Sequence, residues 1–270
     1  MFQRLFQRIS NCFFACFIFI ALALVALLTS PGDVQAQIQW SEHPGNPVMD
    51  VGPPDSWDAG TVFLPSVIKD GDTLKMWYAG SAQSPFLSKL QIGYAWSLDG
   101  VNWTRYSGNP VLSKRPGEWD NGEIADPVVL QDGDTLHMWY GARPDTLPPG
   151  PGGGAIGYAT SVNGINWNRQ SAPVLQRGPA GEWDADLLVP NAVIKEGNTF
   201  KMWFSGGTGE FPATSSISIG YATSTDGIHW TKYDDPATTA PPFQFSDPVL
   251  PHGGPGAFDE PIAWNPHVLK

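Results

Sequence analysis

Cysteine is nearly absent from this chain of 270 residues, which has two, Cys12 and Cys16. Both lie in residues 1–36, where two arginines precede an apolar run and a small-residue cleavage site ends just before Gln37. This order predicts a secretory signal peptide and a mature propeller domain at 37–270. A mature chain without cysteine excludes a disulfide framework and a thiolate metal site.

Positive charge is scarce as well. Once residues 1–36 are removed, 13 Lys and Arg remain against 25 Asp and Glu, a net charge of −12. So few cations exclude nucleic acid as an expected partner, because phosphate contacts need Lys and Arg. We therefore expect a secreted or periplasmic protein that binds carbohydrate and has no membrane contact after signal cleavage. The alternative for residues 1–36 is an N-terminal anchor that is not cleaved.

Helical periodicity is lacking beyond the signal peptide, and repetition takes its place. A tryptophan recurs from Trp40 onward at intervals of 63, 64 and 63 residues. A fixed period of this size indicates stacked supersecondary units, each unable to bury its apolar face alone. The repeated segments are KMWYAG (75–80), HMWYGA (137–142) and KMWFSG (201–206), followed by IGYAWSLDGVNW (92–103), IGYATSVNGINW (156–167) and IGYATSTDGIHW (219–230).

The sequence pattern of each unit predicts four antiparallel strands. In the second unit the strand-like runs are 127–131, 135–141, 155–161 and 166–170. Short turn signals such as Asp132-Gly133-Asp134 join the first run to the second, and similar signals join the third to the fourth. Four short antiparallel strands per unit are typical of the blade of a β-propeller. The predicted fold class is therefore an all-β propeller of four-stranded antiparallel blades.

The two ends of the mature region predict how many blades are present. Residues 38–49 match 101–112, so this region is expected to open with the outer strand of the last blade. Residues 264–270 match 63–69, which is a first strand. We expect three complete blades and a partial fourth, in a truncated reading frame. The alternative is that a partner chain supplies the missing C-terminal blades.

The segments SLDGVNW, SVNGINW and STDGIHW each follow IGYA and precede a link that ends in PVL. In this they resemble the five-bladed glycoside hydrolases, the group of arabinanases, β-xylosidases, invertases and levansucrases, and the resemblance covers about residues 38–270. It implies a secreted glycosidase, five blades in the full-length protein and acids from several inner strands around a central funnel. One acid would protonate the leaving oxygen, a second would act as base or nucleophile, and a third would tune a pKa.

Internal repetition separates scaffold residues from site residues. Side chains that recur in every unit are interpreted as structural: Asp99, Asn163 and Asp226 as turn residues, the tryptophans as blade packing, and Asp58, Asp120, Asp184 and Asp259 as turn or backbone-capping carboxylates. Acids that occur in one unit only are the candidates for chemistry. They are Asp126, Glu123, Asp186 and Glu260.

The Asp126-Pro127 pair matches the Asp-Pro pair that the family places beside its catalytic centre. The resemblance implies sugar binding or pKa tuning for Asp126, and Glu123 or Glu260 could then donate the proton. The alternative for each acid is a solvated residue on the rim. The candidate substrate-binding residues are Trp264, Arg143 and His267, where Trp264 could equally be a core aromatic.

Two departures from the family weaken the prediction of hydrolysis. The family places an Asp on the first inner strand and a Glu on the third, but segments 63–66 and 189–192 have neither. Three functions therefore stay open: a glycoside hydrolase, a non-catalytic carbohydrate-binding propeller, and a protein-interaction propeller. The five histidines lack zinc spacing, and no phosphate-loop, nucleophile-elbow or dinucleotide motif is present. No cofactor or metal is expected, and nothing in the residue pattern supports a calcium ion on the axis.

Overall fold

The computed structural model describes residues 40–83, 89–146, 154–209 and 215–269. They belong to two units, one that ends at Asn46 and one that begins at Pro47. In the first unit the backbone N–H of Asn46 donates to the carbonyl of His43 (3.1 Å), which closes a turn. The predicted signal peptide lies outside the described residues. Within those four ranges, no helix is long and apolar enough to cross a membrane.

The described part of the second unit consists of strands, turns and irregular segments. The strands are β1 (Thr61–Asp70), β2 (Thr73–Ser81), β3 (Gln91–Ser97), β4 (Thr104–Arg105), β5 (Glu123–Asp132), β6 (Thr135–Arg143), β7 (Ala155–Ser161), β8 (Asn168–Arg169), β9 (Leu175–Gln176), β10 (Leu187–Glu196), β11 (Thr199–Thr208), β12 (Ser216–Ser224), β13 (Thr231–Lys232) and β14 (Pro248–Leu250).

These strands form three antiparallel sheets with one common order. Blade 1 is β1-β2-β3-β4, blade 2 is β5-β6-β7-β8, and blade 3 is β10-β11-β12-β13. Each is a meander in which successive strands are neighbours, which confirms the predicted propeller blades. Two further short strands, β9 and β14, pair with the third strands of blades 2 and 3.

The outer strands are shorter than the sequence predicts. The predicted run 166–170 is reduced to the two residues of β8, because the chain before it is held in a turn. In that turn the Asn163 side chain accepts the backbone N–H groups of Ile165 (3.0 Å) and Asn166 (2.9 Å). Asp99 and Asp226 accept the same kind of bonds in the other blades, so the prediction that this column forms turns is confirmed.

Neighbouring blades are joined through the tryptophan of the second strand. The indole N–H of Trp77 in blade 1 donates to the carbonyl of Gly164 in blade 2 (2.8 Å). The ring of Trp77 also meets Trp167 edge-on, with 5.9 Å between ring centroids. Trp139 of blade 2 repeats the contact with Gly227 of blade 3 (2.9 Å). The predicted blade-to-blade role of Trp77 and Trp139 is confirmed.

A second column of tryptophans contacts aromatic residues of its own blade. Trp57 tilts against Tyr78, Trp119 stacks on Tyr140, and Trp183 stacks on Phe204. Trp119 and Trp183 also belong to core clusters that contain Trp77 and Trp139 of the preceding blades, which agrees with the predicted packing between blades.

The first strands of the blades lie side by side. Ser66 on β1 accepts the backbone N–H of Val129 on β5 through its hydroxyl (3.0 Å). Beyond blade 3, Ile262 forms a parallel bridge with Ile217 of β12, and the N–H of Ala263 donates to the Ile217 carbonyl (2.9 Å). The segment around Ile262 therefore lies beside blade 3, where the partial fourth blade was predicted to begin.

Gly164 is the residue on which the contact between blades 1 and 2 depends. Its φ is +74°, and a β-carbon on it would lie 2.5 Å from Cζ2 of Trp77. Gly133 in the same blade has a φ of +59° but has no atom within 4 Å of the corresponding position. We expect Gly164→Ala to lower the free energy of unfolding by about 3 kcal/mol, from backbone strain plus steric overlap. Gly133→Ala, which adds the strain alone, should lower it by about 1 kcal/mol. Urea denaturation measures both, and equal losses would contradict this view of the interface.

Candidate active site

Glu123 and Asp126 lie on one strand, at the start of β5. The pairing of β5 with β6 is interrupted between Ala125 and Val128, where one extra residue forms a β-bulge. Asp126 sits in this bulge with a φ of +50°. Such a left-handed backbone is uncommon for residues other than glycine, and aspartate tolerates it better than most. The predicted strand begins at residue 127, so the place of Glu123 inside the sheet is a correction.

The bulge is a feature of the shared backbone and is not specific to the candidate site. Leu64 in blade 1 has a φ of +51° at the equivalent place, and Asn265 has +55°. Blade 3 has Pro190 there, whose ring excludes a positive φ, and its register shifts one residue later, before Ala192. Since apolar Leu64 adopts the same backbone as Asp126, only the side chain distinguishes blade 2.

Gly141 on β6 makes room for the Asp126 carboxylate. A β-carbon on Gly141 would meet Oδ2 of Asp126 at 3.1 Å and Cγ1 of Val189 at 3.4 Å. Asp126 therefore lies against β6 of its own blade and close to β10, the first strand of blade 3. In the repeated segment HMWYGA, the glycine stands where the other two blades have Ala79 and Ser205.

The two carboxyl groups have unusual electrostatics. Burial raises the pKa of Asp126 from 3.8 to about 7, although its side chain is partly accessible to solvent. Burial also raises the pKa of Glu123 from 4.5 to about 7; the Arg143 guanidinium opposes this rise and the negative charge of Asp126 adds to it. Asp126 is therefore close enough to influence Glu123, and both groups titrate near neutral pH. Paired carboxyls of this kind are typical of acid/base sites.

Arg143 lies directly across the sheet from Glu123. The two residues are partners in the β5–β6 register, and both side chains are buried. Burial lowers the pKa of Arg143, Glu123 opposes the effect, and the positive charge of Arg177 adds to it. The structure thus brings together Glu123, Asp126 and Arg143, three of the seven residues named from the sequence.

Arg177 was missed by the sequence analysis. It lies in the link between blades 2 and 3 and lines a cavity of about 590 Å³ together with Asp186, Ala142 and Pro144. The last two flank Arg143 in the chain, so the cavity opens beside the buried arginine. A sequence signal existed, because the equivalent positions of two other links also hold basic side chains, Lys114 and His252.

Asp186 and Glu260 are both exposed and hold local turns. Asp186 Oδ2 accepts the backbone N–H of Gly209 (2.9 Å), and the Asp186 carbonyl accepts from Arg177 (3.1 Å). Glu260 accepts the backbone N–H of Gly256. These bonds agree with the rim alternative for both acids. Asp186 lines the cavity described above. The catalytic role of Glu260 remains a prediction that rests on its position in the sequence alone.

Trp264 and His267 lie in the segment after blade 3. Trp264 is half-buried and packs against Leu187, Val189 and Ile217, which agrees with its alternative reading as a core aromatic. His267 is exposed on the same segment. Neither is brought into contact with Glu123 or Asp126, and their predicted roles in substrate binding are not tested.

The recurring aspartates form hydrogen bonds and ion pairs with side chains, which the sequence analysis did not predict. Asp58 binds Nε of Arg105 (2.9 Å) and the hydroxyl of Tyr78 (3.0 Å), and these groups come from the outer and second strands of its blade. Equivalent buried carboxylates in the next two blades pair with Arg115 and Arg169, and with Lys232. Asp58 lies in a turn as predicted, and its deeply buried charge also has a cationic partner. The backbone-capping role is seen at Asp184, which accepts the backbone N–H of Gly178 (3.1 Å).

Across the described ranges, no group of three or more His, Cys, Asp or Glu residues could hold a metal ion. The expectation that no metal or cofactor is needed stays a prediction.

The raised pKa of Asp126 predicts a stability that falls as the pH rises. Between about pH 4 and pH 7 the unfolded chain releases this proton while the folded chain retains it, so the carboxylate destabilises the fold above pH 7. We expect Asp126→Asn to gain about 1–2 kcal/mol of stability over the parent chain at pH 8, after allowance for solvent access, and almost nothing at pH 4. Thermal unfolding at the two pH values measures this.

Asp99 is the opposite control for that measurement. Hydrogen bonds from the backbone and side chain of Asn102 hold its pKa well below the usual range, so its contribution is lost as the pH falls. Asp99→Asn should therefore cost about the same stability at pH 8 and at pH 4, because this contribution is lost only as the pH falls below the ordinary pKa of 3.8. A pH-independent effect of Asp126→Asn would show that this carboxyl is not desolvated.

Comparison with known proteins supports this architecture. The sequence profile for "Glycosyl hydrolases family 32 N-terminal domain" matches residues 36–188. An uncharacterized protein of Mycobacterium tuberculosis (strain CDC 1551 / Oshkosh) is 28% identical over 196 residues, which is 69% of this chain and 60% of that protein. A 1,2-beta-oligomannan phosphorylase of Thermoanaerobacter sp. (strain X514) is 28% identical over 138 residues, 49% of this chain and 44% of that enzyme. The chain thus spans about 60% or less of the length of these relatives.

Solved structures share the fold at low sequence identity. A structure from work on the GH130 family of mannoside phosphorylases, described as containing glycoside hydrolases that target beta-1,2 mannosidic linkages in Candida mannan, superposes with a TM-score of 0.58. It is 18% identical, and the alignment covers 78% of this chain and 61% of that chain. A family 117 glycoside hydrolase of Zobellia galactanivorans gives 0.54 at 15% identity, over 68% of this chain and 59% of that chain. Since the profile spans more than half of the sequence and the blades have the matching fold, the chain belongs to the family of glycosyl hydrolases family 32 N-terminal domains.

Proposed function

We propose that this propeller is carbohydrate-active and hydrolyses a glycosidic bond at the site of Glu123, Asp126 and Arg143. The observation that carries the proposal is the pair of carboxyls at the start of β5, both with a pKa of about 7, where the charge of Asp126 adds to the rise at Glu123. Glycoside hydrolysis needs one neutral and one ionised carboxyl, and such a pair supplies both near neutral pH. Membership of the family supports the same class of reaction.

The roles of the two acids follow from their surroundings. We assign the general acid to Glu123 because burial raises its pKa; Arg143 opposes this rise and the charge of Asp126 adds to it. Glu123 would protonate the glycosidic oxygen as the bond to the anomeric carbon breaks. Asp126, as the ionised member, would accept a proton from the attacking water. Arg143 lies across the strand from Glu123 and would stabilise its carboxylate after proton transfer.

Amide substitutions test these roles. We expect Glu123→Gln to lower kcat/KM by at least about 100-fold, because general acid catalysis is typically worth that much, and Asp126→Asn by at least about tenfold. The assay uses 4-nitrophenyl α-L-arabinofuranoside, 4-nitrophenyl β-D-xylopyranoside, sucrose and β-1,2-mannobiose, the last with and without inorganic phosphate.

Matched controls lie at the far ends of first strands. Asp132→Asn and Glu196→Gln remove acids that end β5 and β10 and pair with Lys195 and Lys201. Both should change activity less than about twofold, as surface ion pairs contribute little. Full activity of Glu123→Gln on a substrate that the parent chain cleaves would remove Glu123 from the mechanism.

A non-catalytic carbohydrate-binding propeller is the second candidate. The observation that favours it is the lack of a carboxyl at the position of Asp126 in the other described first strands, which have Leu64 and Pro190. In that case the parent chain would bind neutral oligosaccharides on a glycan array without turnover, and Glu123→Gln would bind them as well as the parent does.

Export is part of the proposal. It rests on the basic and apolar N-terminal segment and on the small residues before Gln37. Expression in a secreting bacterial host should give a periplasmic or extracellular protein that begins at Gln37. Intact-mass spectrometry measures this, and a chain that retains residues 1–36 would favour the membrane-anchor alternative.

A further inference from the structure

Blade 3 holds a polar cluster at the level where blade 2 holds Asp126. The hydroxyl of Ser205, which is fully buried on β11, donates to Oδ1 of Asn191 on β10 (2.7 Å). The Nδ2 group of Asn191 then donates to Oδ1 of Asn265 (2.8 Å). The backbone N–H of Asn265 also approaches the Ser205 hydroxyl (3.4 Å). Three side chains from three segments are thus joined by two hydrogen bonds in series, from Ser205 to Asn191 and from Asn191 to Asn265.

The two amides are joined in one arrangement. The Ser205 hydroxyl donates to Oδ1 of Asn191, and the Nδ2 group of Asn191 donates to Oδ1 of Asn265. Each Nδ2 group carries two hydrogens, so one on Asn191 and both on Asn265 have no partner among the described residues. The Asn191 side chain is partly exposed and that of Asn265 is exposed, so these donors face solvent.

The cluster is unlike its counterparts in the other blades. The position of Ser205 is filled by Ala79 in blade 1 and by Gly141 in blade 2, so a buried hydroxyl is not needed to build a blade. Asn265 holds a left-handed backbone (φ +55°) that keeps its side chain in the row with Asp126 and Asn191. Asp126 itself lies near Val189, two residues before Asn191 on the same strand.

We infer that Asn191 and Asn265 form a hydroxyl-binding pair, whose free Nδ2 hydrogens bind adjacent hydroxyl oxygens of a neutral sugar ring next to Asp126. The cluster contains no ionisable group, so it matches neutral oxygens and not a carboxylate or phosphate. Its donors are oriented before the ligand arrives, which lowers the entropy lost on binding. The inference rests on the proposed carbohydrate-binding function and names two residues that would select the sugar.

The test measures binding, so it does not depend on turnover. Full-length chains carrying Glu123→Gln are titrated by calorimetry with β-1,2-mannobiose and with 4-nitrophenyl α-L-arabinofuranoside. Asn265→Asp and Asn191→Asp keep the shape of each side chain and remove the donors. We expect each to weaken the affinity for the bound probe about threefold to tenfold, as for one or two lost hydrogen bonds.

Two further variants separate binding from folding. Asn198→Asp alters an exposed turn residue at the other end of β10 and should leave affinity unchanged. Ser205→Ala reproduces the side chain that blade 1 already buries as Ala79, and it should weaken affinity about threefold by releasing the Asn191 amide. The melting temperatures of the Asn191 and Asn265 variants should stay within a few degrees of the parent, which a purely structural pair would not allow.

The outcomes are distinguishable. Unchanged affinity in both asparagine variants, with turnover still lost in Glu123→Gln, would overturn the hydroxyl-binding pair and leave the proposed hydrolase standing. Failure of the unmodified chain to bind either probe would overturn both proposals.

Discussion

In blades 2 and 3, one carbonyl oxygen in the turn between the third and fourth strands joins the blade to the preceding one. The Gly164 carbonyl accepts an indole N–H from Trp77 of the preceding blade (2.8 Å) and another from Trp167 of its own blade (3.0 Å). Each of these bonds contributes about 1 kcal/mol, and the edge-on contact of the two rings adds about as much. The glycine is required because its φ is +74° and Trp77 lies against the place of a β-carbon. This contact joins neighbouring blades, whose first strands carry the candidate residues.

Within a blade, a buried carboxylate ties the short outer strand to the second strand. Asp58 joins Arg105 to Tyr78, and Asp120 joins Arg169 to Tyr140. A buried charge without a partner would be strongly destabilising, so each outer strand must supply a cation. This explains why outer strands of only two residues suffice, and why the recurring aspartates are unavailable for chemistry. The acids left over are those that a single blade carries.

The bulge in the first strand has the same backbone in several repeats but carries different side chains. In blade 1 it holds Leu64, in blade 2 it holds Asp126, and beyond blade 3 it holds Asn265, all with nearly the same backbone. The second strands differ as well: in blade 2 Gly141 gives space to the Asp126 carboxylate, and in blade 3 Ser205 bonds to Asn191 and approaches the backbone N–H of Asn265. Bulges often redirect side chains near active sites, and here one position supplies a candidate acid and a candidate hydroxyl-binding group.

The sequence by itself determined the repeat, the four-strand unit, the turn residues and the choice of Asp126, because period and turn chemistry act over a few neighbouring residues. The single occurrence of Glu123 and Asp126 among the repeats was enough to name both. Only the tertiary structure decided that Glu123 lies in the sheet opposite Arg143, that Arg177 is close by, and that burial brings both carboxyl pKa values to about 7. Desolvation and charge coupling depend on strands and links that are distant in the chain, so no local pattern could reveal them.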